Sequence, residues 1–285
     1  MALELFSFSS NDQSFQGYHW PLRSPKAVLI IIHGHGEHAG RYAHVAGHVR
    51  AAGFATLAMD HYGHGKTDSK RGHIPSYDAV LDSIDALIAK ARKAYPEIPF
   101  VLMGHSMGGN FVANYALQRK PDLAGVYLSA PWLRLAFEPS IVDKVLAQVG
   151  QFLLPSLTQP SKLDATKVSR DPIEVQKYVE DPLVHDMISP TLFMGCQRQG
   201  EWAIEHASEF AYPLLVMHGS GDQIASYDAA KEFAEKAQAG SAEVIFRGWE
   251  GYFHELHNEP MEDRLLVLDA LEAWLTHTIE QVDRV

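Results

Sequence analysis

The sequence predicts an α/β fold: a mostly parallel sheet with helices on both faces, interrupted by one helical insertion. Three observations predict it. Short, uninterrupted apolar runs recur at "KAVLIIIH", "FATLAMD", "PFVLMGH", "LAGVYLSAP" and "YPLLVMHG", the pattern of strands buried on both faces. Stretches of helical character fall between successive runs, so strand and helix alternate. The alternation stops at Pro131 and resumes near residue 209.

The elements follow in order. Residues 1–20 alternate apolar and polar side chains without a basic start, which predicts a two-stranded hairpin and argues against a signal peptide. Residues 26–33 form the first buried strand, 42–52 a helix stopped by Gly53, and 54–60 a second strand. "YDAVLDSIDALIAKARKAYP" carries Val80, Ile84, Leu87, Ile88 and Ala91 on one face and ends before Pro96, as an amphipathic helix does. A strand ending "MGH", a helix from Met107 and a strand ending "SAP" come next. After the insertion come "YPLLVMHG", the helix "YDAAKEFAEKAQAG", the strand "AEVIFRG" and the long helix "EPMEDRLLVLDALEAWLTHTIE". The expected organisation is a core of residues 1–131 and 209–285, with a helical cap over 132–208.

Composition narrows the function. The 285 residues carry a formal charge of −11, which disfavours nucleic acid and charge-driven docking on anionic membranes. The short cluster from Lys66 to Arg71 reads as a solvated loop. A single cysteine, Cys196, excludes an internal disulfide, fits a reducing compartment and reads as a small buried hydrophobe. No apolar run approaches the ~20 residues of a membrane span. A cytoplasmic protein, soluble or peripherally membrane-associated, is expected; its oligomeric state is open.

"VLMGHSMGGN" carries the chemistry. Gly104-His105-Ser106-Met107-Gly108 is G-x-S-x-G between a predicted strand and a predicted helix, the setting of a nucleophile elbow. A serine hydroxyl needs a base, and the base an orienting acid. Asp222 lies in the turn after the strand that follows the insertion, the place for the acid. The base belongs after the last strand, where "FHELHNEP" offers His254, with His257 as runner-up. The His-Glu-Leu-His spacing is one short of the H-E-x-x-H zinc helix.

A competing reading comes from "IIIHGHGEHAGRY". His33, His35 and His38 form H-x-H-x-E-H, close to a metallo-hydrolase pattern, but a zinc reading needs a different, two-sheet fold and leaves Gly104–Gly109 unexplained. Asp60, His61 and His64 read as a turn whose side chains brace backbone, not as metal ligands. No cofactor and no metal are expected.

Taken in order, "HGHGEHAGRY", "MDHYGHGKTD", "RGHIPSYD", "GHSMGG", "SAP", "HGSGDQI" and "FHELHNE" resemble the monoacylglycerol lipase family of α/β-hydrolases, from about residue 33 to 259. The cap matches least, apart from "EDPLVHD". The resemblance implies an α/β-hydrolase fold and a serine carboxylic-ester hydrolase acting on a lipid ester. It implies Ser106 as nucleophile, Asp222 as acid, His254 as base, and the backbone N–H groups of His35 and Met107 as oxyanion donors. Where the family often has a small residue, this chain has His35, whose bulk is expected to narrow the pocket.

Glu37, Arg41 and His257 are candidates for binding a polar glycerol head; the alternative is that Glu37 and Arg41 pair to brace their loop. In the cap, Ile141, Val145, Val149 and Leu153 share a helical face, with Val142, Leu146 and Phe152 beside it. Packing onto the core is the expected reading. The alternative is an acyl-chain tunnel whose outer wall meets a membrane or micelle. Other readings are a lysophospholipase or small-ester esterase and, from other classes, the zinc hydrolase or a non-catalytic ligand receptor on the same fold. No triad member is missing, which disfavours the receptor.

Overall fold

The computed structural model describes residues 3–138, 140, 148–240 and 243–282. Strands β1 (Glu4–Ser10) and β2 (Gln13–Trp20) form the expected hairpin. Asn11 and Asp12 turn it with φ of 48° and 60°, the positive values a two-residue hairpin turn needs. The chain continues through β3 (Ala27–Ile32), α1 (Ala43–Ala51), β4 (Phe54–Met59), α2 (Tyr77–Ala94), β5 (Phe100–His105), α3 (Met107–Arg119) and β6 (Gly125–Ser129). A small antiparallel pair, β7 (Gln159–Pro160) and β8 (Met187–Ile188), flanks α4 (Pro172–Glu180). Then come α5 (Pro190–Glu205), β9 (Leu214–Gly219), α6 (Tyr227–Ala237), β10 (Val244–Trp249) and α7 (Met261–Val282).

The main sheet has the order β1-β2-β4-β3-β5-β6-β9-β10. The first two strands run antiparallel to their neighbours, and every pairing from β4 to β10 is parallel. Strand period sorts the core into two layers. Val28, Ile30 and Ile32 point to the face covered by α2, α3, α5 and α6, with Ile84, Phe111, Leu192 and Phe233 against them. Leu29 and Ile31 point to the face covered by α1 and α7, where Val45, Val49, Leu271 and Leu275 pack. Both faces are therefore dry, which explains the uninterrupted apolar runs.

Local signals start the helices. The Ser76 hydroxyl accepts the Ala79 N–H at 3.0 Å and Ser226 accepts that of Ala229 at 3.2 Å, capping α2 and α6. All six parallel strands deliver their carboxyl ends, and the loops that follow, to one edge of the sheet, where α/β folds place their sites.

The segment between β6 and β9 is not uniform. Its last helix, α5, is part of the core: Leu192, Cys196, Ala203 and Ile204 are buried with α2, α3 and α6. Asn110 and Asn114 on α3 donate to the carbonyls of Cys196 and Gln199 at 2.9 and 3.0 Å. Packing thus joins the core again near Ser189, earlier than residue 208. Cys196 is buried, and burial pushes its thiol pKa up, as a structural cysteine requires.

Candidate active site

Strand β5 ends at His105 and α3 begins at Met107, so Ser106 makes the whole turn between them. Its φ of 52° and ψ of −117° are rare for a residue with a side chain, and the surrounding structure must hold them. The Ser106 N–H donates to Ser129 O at 3.0 Å, while Ser106 O accepts from Asn110 and Trp132 at 3.1 and 2.9 Å. A Cβ at Gly108 would collide with the carbonyl oxygens of Ile32 and His33, so only glycine lets α3 pass this close to β3. Met107 is the first residue of α3, where a backbone N–H has no helical acceptor.

Asp222 sits in the turn after β9 and is buried. Its Oδ2 accepts from His254 Nδ1 at 2.7 Å. Its Oδ1 accepts the N–H groups of Ile224 and Ala225 at 2.8 and 3.1 Å. Burial alone would raise the Asp222 pKa; the His254 charge and the bonds from His218 and His254 outweigh it and hold the carboxyl well below its usual range. For His254, burial pulls the pKa down, but the charge and hydrogen bond of Asp222, with Glu255 and Glu37 nearby, leave it above the ordinary 6.5. The His254 ring lies 4.9 Å, centroid to centroid, from that of His105, the residue before Ser106. Ser106, His254, Gly34 and His35 all line one cavity.

The loop after β3 crosses directly over the elbow: a Cβ at Gly34 would stand 3.1 Å from Ser106 Cβ. This loop is braced from within. Glu37 Oε1 accepts from Gly34 N and Tyr42 Oη, both at 2.7 Å, and Glu37 Oε2 accepts from Arg41 at 2.8 Å. Arg41 also grips both oxygens of Glu255, at 2.6 and 2.7 Å. Of the head-group candidates, Arg41 and His257 do not line the cavity among the described residues. Arg41 is spent on two carboxylates. His257 is buried, stacked on Tyr42 at 4.8 Å and edge-on to His105 at 5.0 Å. Glu37 does reach the cavity wall, with both oxygens occupied.

The zinc alternative finds no convergent ligands. His33 Nδ1 donates to Gly34 O at 2.7 Å, and its Nε2 accepts the His61 N–H at 3.0 Å. His38 Nε2 pairs with Asp181 at 3.0 Å, and its Nδ1 accepts from Gly40 N. Among the described residues no group of three or more His, Cys, Asp or Glu side chains is disposed to hold a metal ion. The His35 ring lies against those of His64 and His185, at 5.5 and 5.9 Å. Burial pushes His35 down to about 3, so this imidazole is neutral at any ordinary pH. Asp60 braces backbone, accepting from Ala39 N and Lys66 N, each at 2.8 Å, and from Tyr18 Oη at 3.0 Å.

The cavity has a volume of about 790 Å³, ample for a lipid-sized ligand. Core residues around Ser106 form its floor; Val149, Leu153, Leu154, Leu157 and Tyr178 contribute to its outer wall. Residues 148–153 are helical. The expected packing onto the core is corrected for the described part: Val149 and Leu153 are exposed, Leu153 at 73% and neighbouring Phe152 at 80%. Ile141, Val142, Val145 and Leu146 lie outside the described residues. The 181–189 stretch is tied to the core: His185 N donates to Gly36 O and Ser189 N to Gly72 O, both at 2.9 Å.

Comparison with known proteins agrees with this architecture. The family Hydrolase_4, described as serine aminopeptidase S33, matches residues 23–261. The chain belongs to the Hydrolase_4 family. This Hydrolase_4 protein is 33% identical over 259 residues to the monoacylglycerol lipase of Mycolicibacterium smegmatis, covering 90% of each chain. It is 32% identical over 244 residues to a phospholipase of Bacillus subtilis, covering 85% of this chain and 92% of that one. The solved structure of Paleococcus ferrophilus monoacylglycerol lipase superposes with a TM-score of 0.82 at 30% identity, covering 98% of this chain and all of that one. These likenesses place the Hydrolase_4 chain among the monoacylglycerol lipase-like α/β-hydrolases, which are carboxylic-ester hydrolases. Among its described residues no helix is long and apolar enough to cross a membrane.

Two residues of this site escape sequence reasoning. Glu255, next to His254, answers Arg41 from 214 positions away, and no local pattern announces that pair. His218, four residues before Asp222, reaches the same carboxylate. Its only signal is the spacing in "HGSGD".

Proposed function

We propose that this protein is a serine hydrolase of monoacylglycerols, with Ser106 as nucleophile, His254 as base and Asp222 as acid. The carrying observation is the 2.7 Å bond from His254 Nδ1 to buried Asp222, beside a strained serine on the wall of the same lipid-sized cavity. Because Nδ1 donates to Asp222, Nε2 is left with the lone pair that a base needs. Ser106 Oγ attacks the ester carbonyl as His254 Nε2 takes its proton. Negative charge then collects on the carbonyl oxygen, where the N–H groups of His35 and Met107 would meet it; one such donor is typically worth about 3 kcal/mol. The imidazolium returns the proton to the departing glycerol oxygen. Water, deprotonated by His254, releases the fatty acid from the acyl-enzyme.

Within residues 132–208, the part before α5 is proposed as the cap of this site, since α5 packs with the core. The exposed apolar side chains of 149–157 fit an acyl-chain wall that touches membrane or micelle from its outer side. A cytoplasmic, soluble or peripheral location fits the single buried cysteine. An aminopeptidase needs an anion for the substrate's ammonium group; Glu37 and Glu255 on the cavity wall are both held by Arg41. A phospholipase-type substrate is the second reading, favoured by the Bacillus subtilis relative.

Monoacylglycerols, lysophospholipids and p-nitrophenyl esters, each offered to wild type and Ser106→Ala, test the proposal. Monoacylglycerols should be turned over fastest and Ser106→Ala should be inactive on all three. Full activity of Ser106→Ala would remove the mechanism, and a preference for lysophospholipid would replace the substrate.

A further inference from the structure

His218 lies on β9, buried, four residues before Asp222. Its Nε2 stands 2.9 Å from Asp222 Oδ2, the same oxygen that accepts from His254, and 3.2 Å from Ala225 O. Both neighbours are acceptors, so the ring proton sits on Nε2. The edge-on ring of Tyr227, 5.7 Å away on α6, covers the imidazole, and Nδ1 is buried without a partner among the described residues. A buried imidazole N–H needs an acceptor, and here the acceptor is the oxygen that also serves His254.

We propose that His218 is a positioning residue for catalysis: it holds Asp222 Oδ2 in the one orientation from which His254 is aligned, and it shares that oxygen's charge. This rests on the reading of Asp222 and His254 as acid and base. With His218, the carboxylate is surrounded by four donors: Ile224 N and Ala225 N on Oδ1, His254 Nδ1 and His218 Nε2 on Oδ2. A carboxylate is rigid, so rotation about the Cβ–Cγ axis moves both oxygens together; the two backbone donors restrain it through Oδ1, and His218 adds a restraint at the oxygen that His254 itself meets. A donor on Oδ2 also withdraws charge from the bond to His254, so His218 tempers how strongly Asp222 stabilises the imidazolium.

His218→Leu and His218→Gln, compared with wild type and Asp222→Asn, test this. The terminal amide nitrogen of glutamine falls near the place of Nε2; leucine has no donor. Losing one hydrogen bond to a charged group predicts a fall in kcat of about 10- to 100-fold for His218→Leu, with KM little changed. The acid limb of kcat/KM, which reports the base in the free enzyme, should move to higher pH, since Asp222 then spends more of its charge on His254. Glu255 on the same loop, Glu37 from the loop after β3, and His105 and His257 also face His254, and all four stay in place in the variant. His218→Gln should restore both rate and profile. Thermal melts keep stability separate from rate.

Two outcomes overturn the proposal alone: His218→Leu with wild-type kcat and pH profile while Asp222→Asn is inactive, or Leu and Gln variants equally slow with an unmoved acid limb. Asp222→Asn retaining the wild-type rate would instead sink the underlying acid–base reading.

Discussion

Arg41 clasps Glu255 through two parallel bonds and so joins the loop that crosses the elbow to the loop that carries His254. The pair is buried, and Arg41 also holds Glu37. Burial alone would lift Glu255, yet the Arg41 charge and bonds bring it down to about 2, while burial dominates at Glu37 and raises it. Glu255 therefore carries the firm negative charge of the cluster.

Arg41→Met should cost about 3–5 kcal/mol of stability, because it leaves two carboxylates buried without their cation. Urea unfolding measures it. A loss below about 1 kcal/mol, the scale of a surface ion pair, would mean that solvent reaches the cluster.

Glu37→Ala separates bracing from head-group binding. The brace predicts slower turnover of monoacylglycerol and of a simple alkyl ester by the same factor, since the loop over Ser106 loses its internal bonds. A selective loss on the glycerol ester would return Glu37 to substrate recognition.

Gly36 has a φ of 77°, and a Cβ there would strike the carbonyl oxygen of His185. That carbonyl belongs to the stretch tied to the loop through His185 N and Gly36 O. Gly36→Ala combines backbone strain of about 1–3 kcal/mol with a collision against backbone. We expect kcat/KM to fall at least about tenfold, with His35 N displaced. Wild-type kinetics for Gly36→Ala would show that the loop adjusts without disturbing the proposed oxyanion donors.

The histidines set two pH responses. As the proposed base, His254 would act only when neutral, and its pKa is raised above 6.5, so activity should fall as pH drops through and below neutrality. His33, His35, His61, His64, His105 and His257 are all pushed down by burial, three of them to about 3. A depressed histidine binds its proton in the unfolded chain first, so stability is lost as pH falls below 6.5. Each contributes up to about 1.4 kcal/mol per pH unit there. His254, shifted the other way, adds stability below 6.5 that is lost as pH rises through its folded pKa; Asp222 adds stability that is lost only below its unfolded value of 3.8. The six outweigh the one. Melting temperature should drop steeply between pH 6.5 and 5, and a flat profile across that range would contradict the burial of these rings.

The cap prediction concerns physical state of the substrate. Phe152→Ser with Leu153→Ser should slow hydrolysis of micellar or vesicle-borne monoacylglycerol and leave a water-soluble short-chain ester nearly unaffected. Equal slowing on both would assign these side chains to cavity shape alone.

Much of the fold was legible because β3, β4, β5, β6 and β9 are buried on both faces and helices such as α2 and α6 on one, and burial writes its own period into the chain. Ser106 was legible because an elbow needs glycine at fixed offsets around it. Asp222 and His254 could be assigned by chain order, since the loops after successive strands of a parallel sheet emerge at one edge. Distances among Ser106, Asp222 and His254 were not legible, because they depend on how those loops are held.

The sequence by itself determined the order of strands and helices, the break after Pro131, and which serine, aspartate and histidine share an edge of the sheet; these follow from periodicity and turn chemistry, which are local. Only the tertiary structure decided that Arg41 spans to Glu255, that His257 faces Tyr42 instead of the cavity, that α5 belongs to the core, and that His218 and His254 converge on one oxygen of Asp222. Those are choices among partners far apart in the chain, or between two donors for one oxygen. They are made by which polar groups burial leaves in need of a bond, and no local pattern encodes that.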